Sequence, residues 1–211
     1  MRKPFEETAI GMALTVAIDV VYVGLLWCLC ALPVITLGPA STALYYTTVK
    51  SVRHERGRVT ATFFGSFRAN FRVSLLTWLL LLGYIFAGAA NILILRGTES
   101  LQGTVLWYLS RMMLAPALFV FVWVFPFISR FENTVGGSLR FSCFLALKNI
   151  GRTLLLSAEL AAFVLVGWLM PRLIPLLPGL CCLIMSYSTE DALRAAAAGS
   201  EDSNADPWYN E

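Results

Sequence analysis

The sequence predicts an all-α fold: a multi-pass transmembrane bundle of about six helices, with short amphipathic helices on its cytoplasmic side. Three observations carry this. Long apolar stretches recur through the 211 residues. Hydrophobic residues make up 58% and charged residues 14%, against roughly 45–50% and 25% in ordinary soluble domains. Most lysines and arginines fall between alternate pairs of the apolar stretches. Hydrocarbon tolerates only backbones that satisfy their own hydrogen bonds, as helices or closed barrels. These stretches are leucine-rich and lack strict alternation, so the helix is the reading.

The first span is expected from about Ala9 to Leu32. Arg2 and Lys3 precede it, as in a signal peptide, but the run far exceeds a signal core of roughly 7–15 residues. It is read as uncleaved. Pro33 and the pair Gly38-Pro39 then break the helix. The next apolar segment, from Pro39 to Val49, is short against the roughly 20 residues of a full span. It crosses with Lys50 and Arg53 snorkelling, or it is re-entrant. From Thr62 to Arg72, Phe63, Phe64, Phe67 and Phe71 recur at helical spacing opposite Arg68, Asn70 and Arg72, the pattern of an interfacial amphipathic helix. The third span is expected near Val73–Leu95. The fourth apolar stretch, Thr104–Ser129, carries Arg111 and Pro116 and divides at Leu114-Ala115-Pro116. Arg130–Arg152 forms a second basic loop. The fifth and sixth spans are expected near Thr153–Met170 and Leu173–Tyr187. Residues 1–190 thus form one transmembrane domain. Residues 191–211 form a short cytoplasmic tail, partly disordered, entered through a cap-like Thr189-Glu190-Asp191.

Lys and Arg placement sets the orientation. With six spans and both termini in the cytoplasm, every Lys and Arg except Arg96, Arg111 and Arg172 lies inside. A re-entrant second segment makes the division less one-sided. The net charge of +3 is loop asymmetry rather than a nucleic-acid footprint. The five cysteines show no two-residue gap of the zinc or thioredoxin kind, and His54 is the only histidine. No metal and no cofactor is expected.

A weak internal repeat is visible. Leu37-Gly38-Pro39-Ala40 matches Leu114-Ala115-Pro116-Ala117, and at the same offset Arg53-His54-Glu55 matches Arg130-Phe131-Glu132. Phe64 and Phe67 match Phe141 and Phe144, and Asn70 and Arg72 match Asn149 and Arg152 after a small gap. Leu177-Pro178-Gly179 opens a third copy. The expected unit is a hairpin of two helices followed by an amphipathic element. Such repeats occur in transporters, whose sites lie at the repeat interface, and in proteins that transport nothing.

Two groups of residues are candidates for function. Asp19 and Glu159 are acids within apparent spans, where a charge must face the interior, pair or take up a proton. Around the break, Gly38 is able to adopt positive φ and Pro39 suits a first helical turn. The segment makes either a tight outer hairpin or broken helix ends at which Thr36, Ser41 and Thr42 meet a solute. The second group is cationic: Lys50, Arg53, Arg56, Arg58, Arg68, Arg72, Arg130 and Lys148, interleaved with phenylalanines, suit anionic lipid headgroups at about 1 kcal/mol each. No G-x-S-x-G, H-E-x-x-H, P-loop or dinucleotide motif occurs, and no enzyme is expected.

The stretch Leu25-Leu26-Trp27-Cys28-Leu29-Cys30-Ala31-Leu32-Pro33-Val34-Ile35-Thr36-Leu37-Gly38-Pro39-Ala40, continuing to Tyr45-Tyr46, resembles the signature of the YesL-like family of bacterial integral membrane proteins, a domain of unknown function. Phe63-Phe64-Gly65-Ser66-Phe67-Arg68-Ala69-Asn70-Phe71, Phe125–Glu132 and Leu147-Lys148-Asn149 also fit. Gly24 departs from the pattern, since relatives often carry asparagine there. The resemblance implies a bacterial plasma-membrane protein that accompanies carbohydrate uptake of the ABC type, with the lipid bilayer and sugar-transporter components as partners. The alternative reading is a small-solute or proton-coupled transporter in its own right.

Overall fold

The computed structural model describes residues 9–54, 57–95, 101–112 and 114–197. Among them there is no strand. The helices are α1 (Ala9–Ala31), α2 (Leu37–Thr47), α3 (Val59–Ala69), α4 (Phe71–Ile94), α5 (Leu101–Met112), α6 (Leu114–Ile128), α7 (Val135–Lys148), α8 (Ile150–Leu169) and α9 (Leu177–Ala197). Four helical stretches are long and apolar enough to cross a membrane: Ala13–Ala31, Phe71–Ile94, Gln102–Ile128 (taking in α5 and α6) and Ile150–Leu169. The chain is thus an all-α bundle that fits a membrane-embedded protein. The other two expected spans fall on α2 and α9. A π-helical extension, Thr48–Arg53, prolongs α2, giving about 25 Å of continuous helix at 1.5 Å per residue.

The break after α1 is a closed turn. Thr36 Oγ1 donates to the carbonyls of Cys30 (2.6 Å) and Pro33 (2.8 Å). Trp78 Nε1, on α4, donates to the Val34 carbonyl (2.7 Å) and fastens the turn to the bundle. Gly38 serves here in a different way from the sequence expectation. The one positive-φ glycine among the described residues is Gly57 (φ 86°). Gly38 is needed for close approach, because a Cβ there would lie 2.6 Å from both the Ser74 carbonyl oxygen and Trp78 Cβ.

The repeat is present in the architecture, with its unit phased differently. Each copy is an apolar helix, a turn at the basic residues, an amphipathic helix folded back on the first, and a long apolar helix. The copies are α2–α3–α4 and α6–α7–α8. An asparagine joins the last two helices of each. Asn70 Nδ2 donates to the Ser66 carbonyl and Asn149 Nδ2 to the Leu145 carbonyl, both at 3.2 Å. These back-bonds hold the asparagine on the preceding turn while the chain bends. Four residues on, Ser74 and Thr153 each bond to the first helix of their copy: Ser74 Oγ to Thr42 Oγ1 (2.8 Å), and Thr153 Oγ1 to Trp123 Nε1 (2.9 Å).

The amphipathic elements form as the spacing predicts, with shifted boundaries. In α3, Phe63 is fully buried while Arg68 stays exposed, as does Arg72 at the start of α4. The helix therefore packs its aromatic face onto α2, and the main core gathers Val49, Phe63, Trp123, Leu145, Leu156 and Leu193. α7 starts on Thr134, whose hydroxyl accepts from the Gly137 amide (3.2 Å). α9 runs unbroken through Thr189-Glu190-Asp191, so the capping pattern starts no helix there. Thr189 Oγ1 instead donates back to the Met185 carbonyl (3.0 Å). The rest of the expected tail lies outside the described residues.

α1 and α9 cross on two glycines. A Cβ on Gly24 would collide with the Pro175 carbonyl oxygen, and one on Gly179 with the Val20 carbonyl oxygen. Small residues let apolar helices approach backbone to backbone where water supplies no drive. An asparagine at position 24, as the resemblance leads one to expect, has no room in this crossing.

Candidate functional site

In both repeat copies an arginine stands where the first helix gives way to the turn, and both arginines reach α9. Arg53 Nη1 donates to the Ser186 carbonyl (3.2 Å), and its guanidinium lies 4.3 Å from the centre of the Tyr187 ring. Arg130 Nη2 donates to Glu190 Oε1 at 2.8 Å. Residues 186 and 190 are one helical turn apart. The repeat thus grips one face of α9 twice at successive turns.

The Arg130–Glu190 pair is a buried one, with the side chains 2% and 1% exposed. Tyr45 completes it. Its hydroxyl donates to Glu190 Oε1 (2.9 Å) and lies 2.6 Å from Thr189 Oγ1. With the tyrosine proton directed at Glu190, the one Thr189 hydroxyl proton is shared between Tyr45 Oη and the Met185 carbonyl. Glu190 Oε2 meets no hydrogen-bond donor among the described residues. The carboxylate is held by a fixed cation and a fixed hydroxyl, an arrangement that locks helices together. His54, just past Arg53, feels the same charges. Burial lowers its pKa below the ordinary 6.5, and the nearby Arg53 and Arg194 lower it further.

Tyr45 also lines a cavity of about 290 Å³ among α1, α2, α6, α8 and α9. Its walls are almost wholly apolar, with Leu44, Phe121, Leu160, Phe163 and Met185 among them. The polar groups on its surface are already engaged: Ser41 Oγ accepts from Trp27 Nε1 (3.2 Å), and the Tyr45 hydroxyl is bound as above.

The sequence-selected residues separate into three sets. Thr36, Gly38, Pro39, Ser41 and Thr42 lie together at the α1–α2 turn, and the three hydroxyls bond within the chain. Thr42 Oγ1 faces the Gly38 carbonyl (3.3 Å) and Ser74. Asp19 and Glu159 are not brought to each other by any hydrogen bond. Asp19, on α1, makes no hydrogen bond or ion pair among the described residues, and Glu159 Oε1, on α8, is buried without a hydrogen-bond partner among them. Glu159 lies within electrostatic reach of Cys181 and Cys182.

Among the cations, Arg58, Arg68, Arg72 and Lys148 are exposed. Lys50 Nζ donates to Tyr46 Oη (2.8 Å), and Lys148 sits over the Phe144 ring. Arg56 lies outside the described residues. Arg130 departs from the headgroup expectation: it is buried, and its charge is directed at Glu190 rather than outward. Sequence reasoning did not single out Glu190 or Tyr45. A usable signal existed. The spacing from Leu37 to Arg53 equals that from Leu114 to Arg130, and the same spacing from Leu177 reaches Leu193, within a turn of Glu190.

Among the described residues no group of three or more histidines, cysteines or acids is placed to hold a metal ion. Residues 20–92 match a protein family described as "Protein of unknown function, DUF624". The match takes in the α1–α2 turn, α3 and nearly all of α4. No curated protein and no solved structure matches the chain.

Proposed function

We propose that this chain is a YesL-like, non-enzymatic accessory to carbohydrate uptake of the ABC type. It acts in the bacterial plasma membrane through protein contacts, with both termini in the cytoplasm. The motif from Leu25 to Tyr46 falls inside the matched residues 20–92 and supports the YesL-like reading. The observation that carries the accessory role over a transporter is the state of the interior. Thr36, Ser41, Thr42, Ser74 and Thr153 bond to neighbouring helices, and the cavity lining is almost wholly apolar. A sugar needs convergent hydrogen-bonding groups, and leaving its hydroxyls unmatched in such surroundings is costly. On this reading the exposed Arg58, Arg68, Arg72 and Lys148, with the half-buried Lys50 and Arg53 beside them, belong to the cytoplasmic face, where cations meet anionic headgroups.

One observation favours a second reading, a proton-coupled transporter: the buried, unpartnered Glu159 Oε1 within a span. Affinity isolation from native membranes in mild detergent tests the first. Co-purification of a sugar-uptake permease subunit or its binding protein is expected. Recovery of the chain without any such component, under conditions that keep known complexes intact, would refute it.

A further inference from the structure

We propose that the cavity beside α8 and α9 is a binding site for one acyl chain of a membrane phospholipid. This inference stands apart from the accessory role. Three features of the cavity lead to it.

The first is depth. Its walls include α1, α6 and α8, each part of a stretch long and apolar enough to cross the bilayer, so the medium beside it is hydrocarbon. The second is chemistry. Among the described residues no charged side chain lines it, and Ser41 and Tyr45 already have partners within the protein. A ligand there needs no hydrogen-bonding group, and one that carried such groups would leave them unmet. Left empty, the lining would forfeit the dispersion contacts that a close-packed interior makes.

The third feature is shape. On α9 the lining residues Leu177, Pro178, Cys181, Cys182 and Met185 follow one face over about 12 Å of helix. A volume of about 290 Å³ along that length has room for a segment of extended alkyl chain. Its rim opens outward. Val164 and Ile174 line it and remain 65% and 45% exposed, so a chain is able to enter sideways between α8 and the start of α9.

The test uses the full chain in phosphatidylglycerol vesicles that contain a phospholipid with a diazirine midway along one acyl chain. After irradiation, adducts are mapped by peptide. Adducts are expected on the inward residues Leu160, Cys181 and Met185, as well as on the outward Leu165 and Trp168. Leu160→Trp, which fills the cavity, should lower the inward adducts at least fivefold and leave those at Leu165 and Trp168 unchanged. Should that variant lose the outward pattern and so betray misfolding, Val164→Trp at the rim is read instead, with the same expectation. Wild-type adducts confined to outward residues, or inward adducts that persist in the filled or rim-blocked variant, would each overturn the proposal.

Discussion

Arg130 Nη2 donates to Glu190 Oε1 across 2.8 Å, joining the turn after α6 to α9 with both side chains shielded almost completely. A buried pair is not by itself a large source of stability, but removing one partner strands the other charge. Such truncations destabilise by about 3–5 kcal/mol, whereas replacing both partners by apolar residues of similar volume is often neutral. Glu190→Gln is therefore expected to lower stability by about that amount in chemical unfolding of the micellar protein. The double variant Arg130→Met/Glu190→Leu should recover most of the loss. Additive losses in the double variant would show that the pair is not coupled as described.

The α1–α9 crossing depends on absent side chains. Gly179→Leu must force a side chain against the Val20 carbonyl, and overpacking of this kind costs about 1–3 kcal/mol or more. Gly151, on α8, has nothing within 4 Å of an added Cβ. Gly151→Ala is expected to be neutral or to raise stability by up to about 1 kcal/mol. Thermal unfolding of the two variants side by side checks both directions. Equal effects would mean that the crossing is not close.

Ser74 and Thr153, each four residues past the asparagine of its repeat copy, bond to different partners, Thr42 and Trp123. Hydrogen bonds between helices in membrane proteins are worth about 0.6 kcal/mol on average and about 1.7 at most. A double-mutant cycle on Trp123→Phe and Thr153→Val should return a coupling in that range. So should a cycle on Thr42→Val and Ser74→Ala. A coupling near zero in both would remove the bonds from any account of how each copy is held together.

Much of the fold was legible because hydropathy and helix breakers are local. Pro33 and Gly38-Pro39 mark the α1–α2 turn, the phenylalanine spacing marks α3, and the paired Arg53 and Arg130 mark equivalent helix ends. What stayed hidden depends on how distant helices meet. Glu190 reads locally as part of a cap, since Thr-Glu-Asp is capping chemistry. Only the packing of α6 beside α9 turns it toward an arginine 60 positions away. Gly38 reads as a turn glycine for the same reason: its need for close approach to α4 is not written in its neighbours. Arg130 shares its sequence context with surface cations, and burial alone distinguishes it.

His54 offers a single-residue report on the arginine cluster. Burial, then Arg53 and Arg194, disfavour its protonated form. As pH falls below about 6.5 the unfolded chain therefore takes up that proton first, and the stability His54 contributes at higher pH declines. The imidazole titration, followed by NMR as the sole histidine signal, should have its midpoint below 6.5. Arg53→Gln should move it upward. A midpoint at or above 6.5 in the intact protein would contradict the arrangement of cations around it.

If the chain assists uptake without conducting it, as proposed, its bundle passes no polar solute. Flux into vesicles reconstituted with the full chain tests this most directly, using labelled sugars and a proton-sensitive dye under an imposed pH gradient. The account predicts no flux above that of empty vesicles. Solute or proton entry that Asp19→Asn or Glu159→Gln abolishes would contradict it.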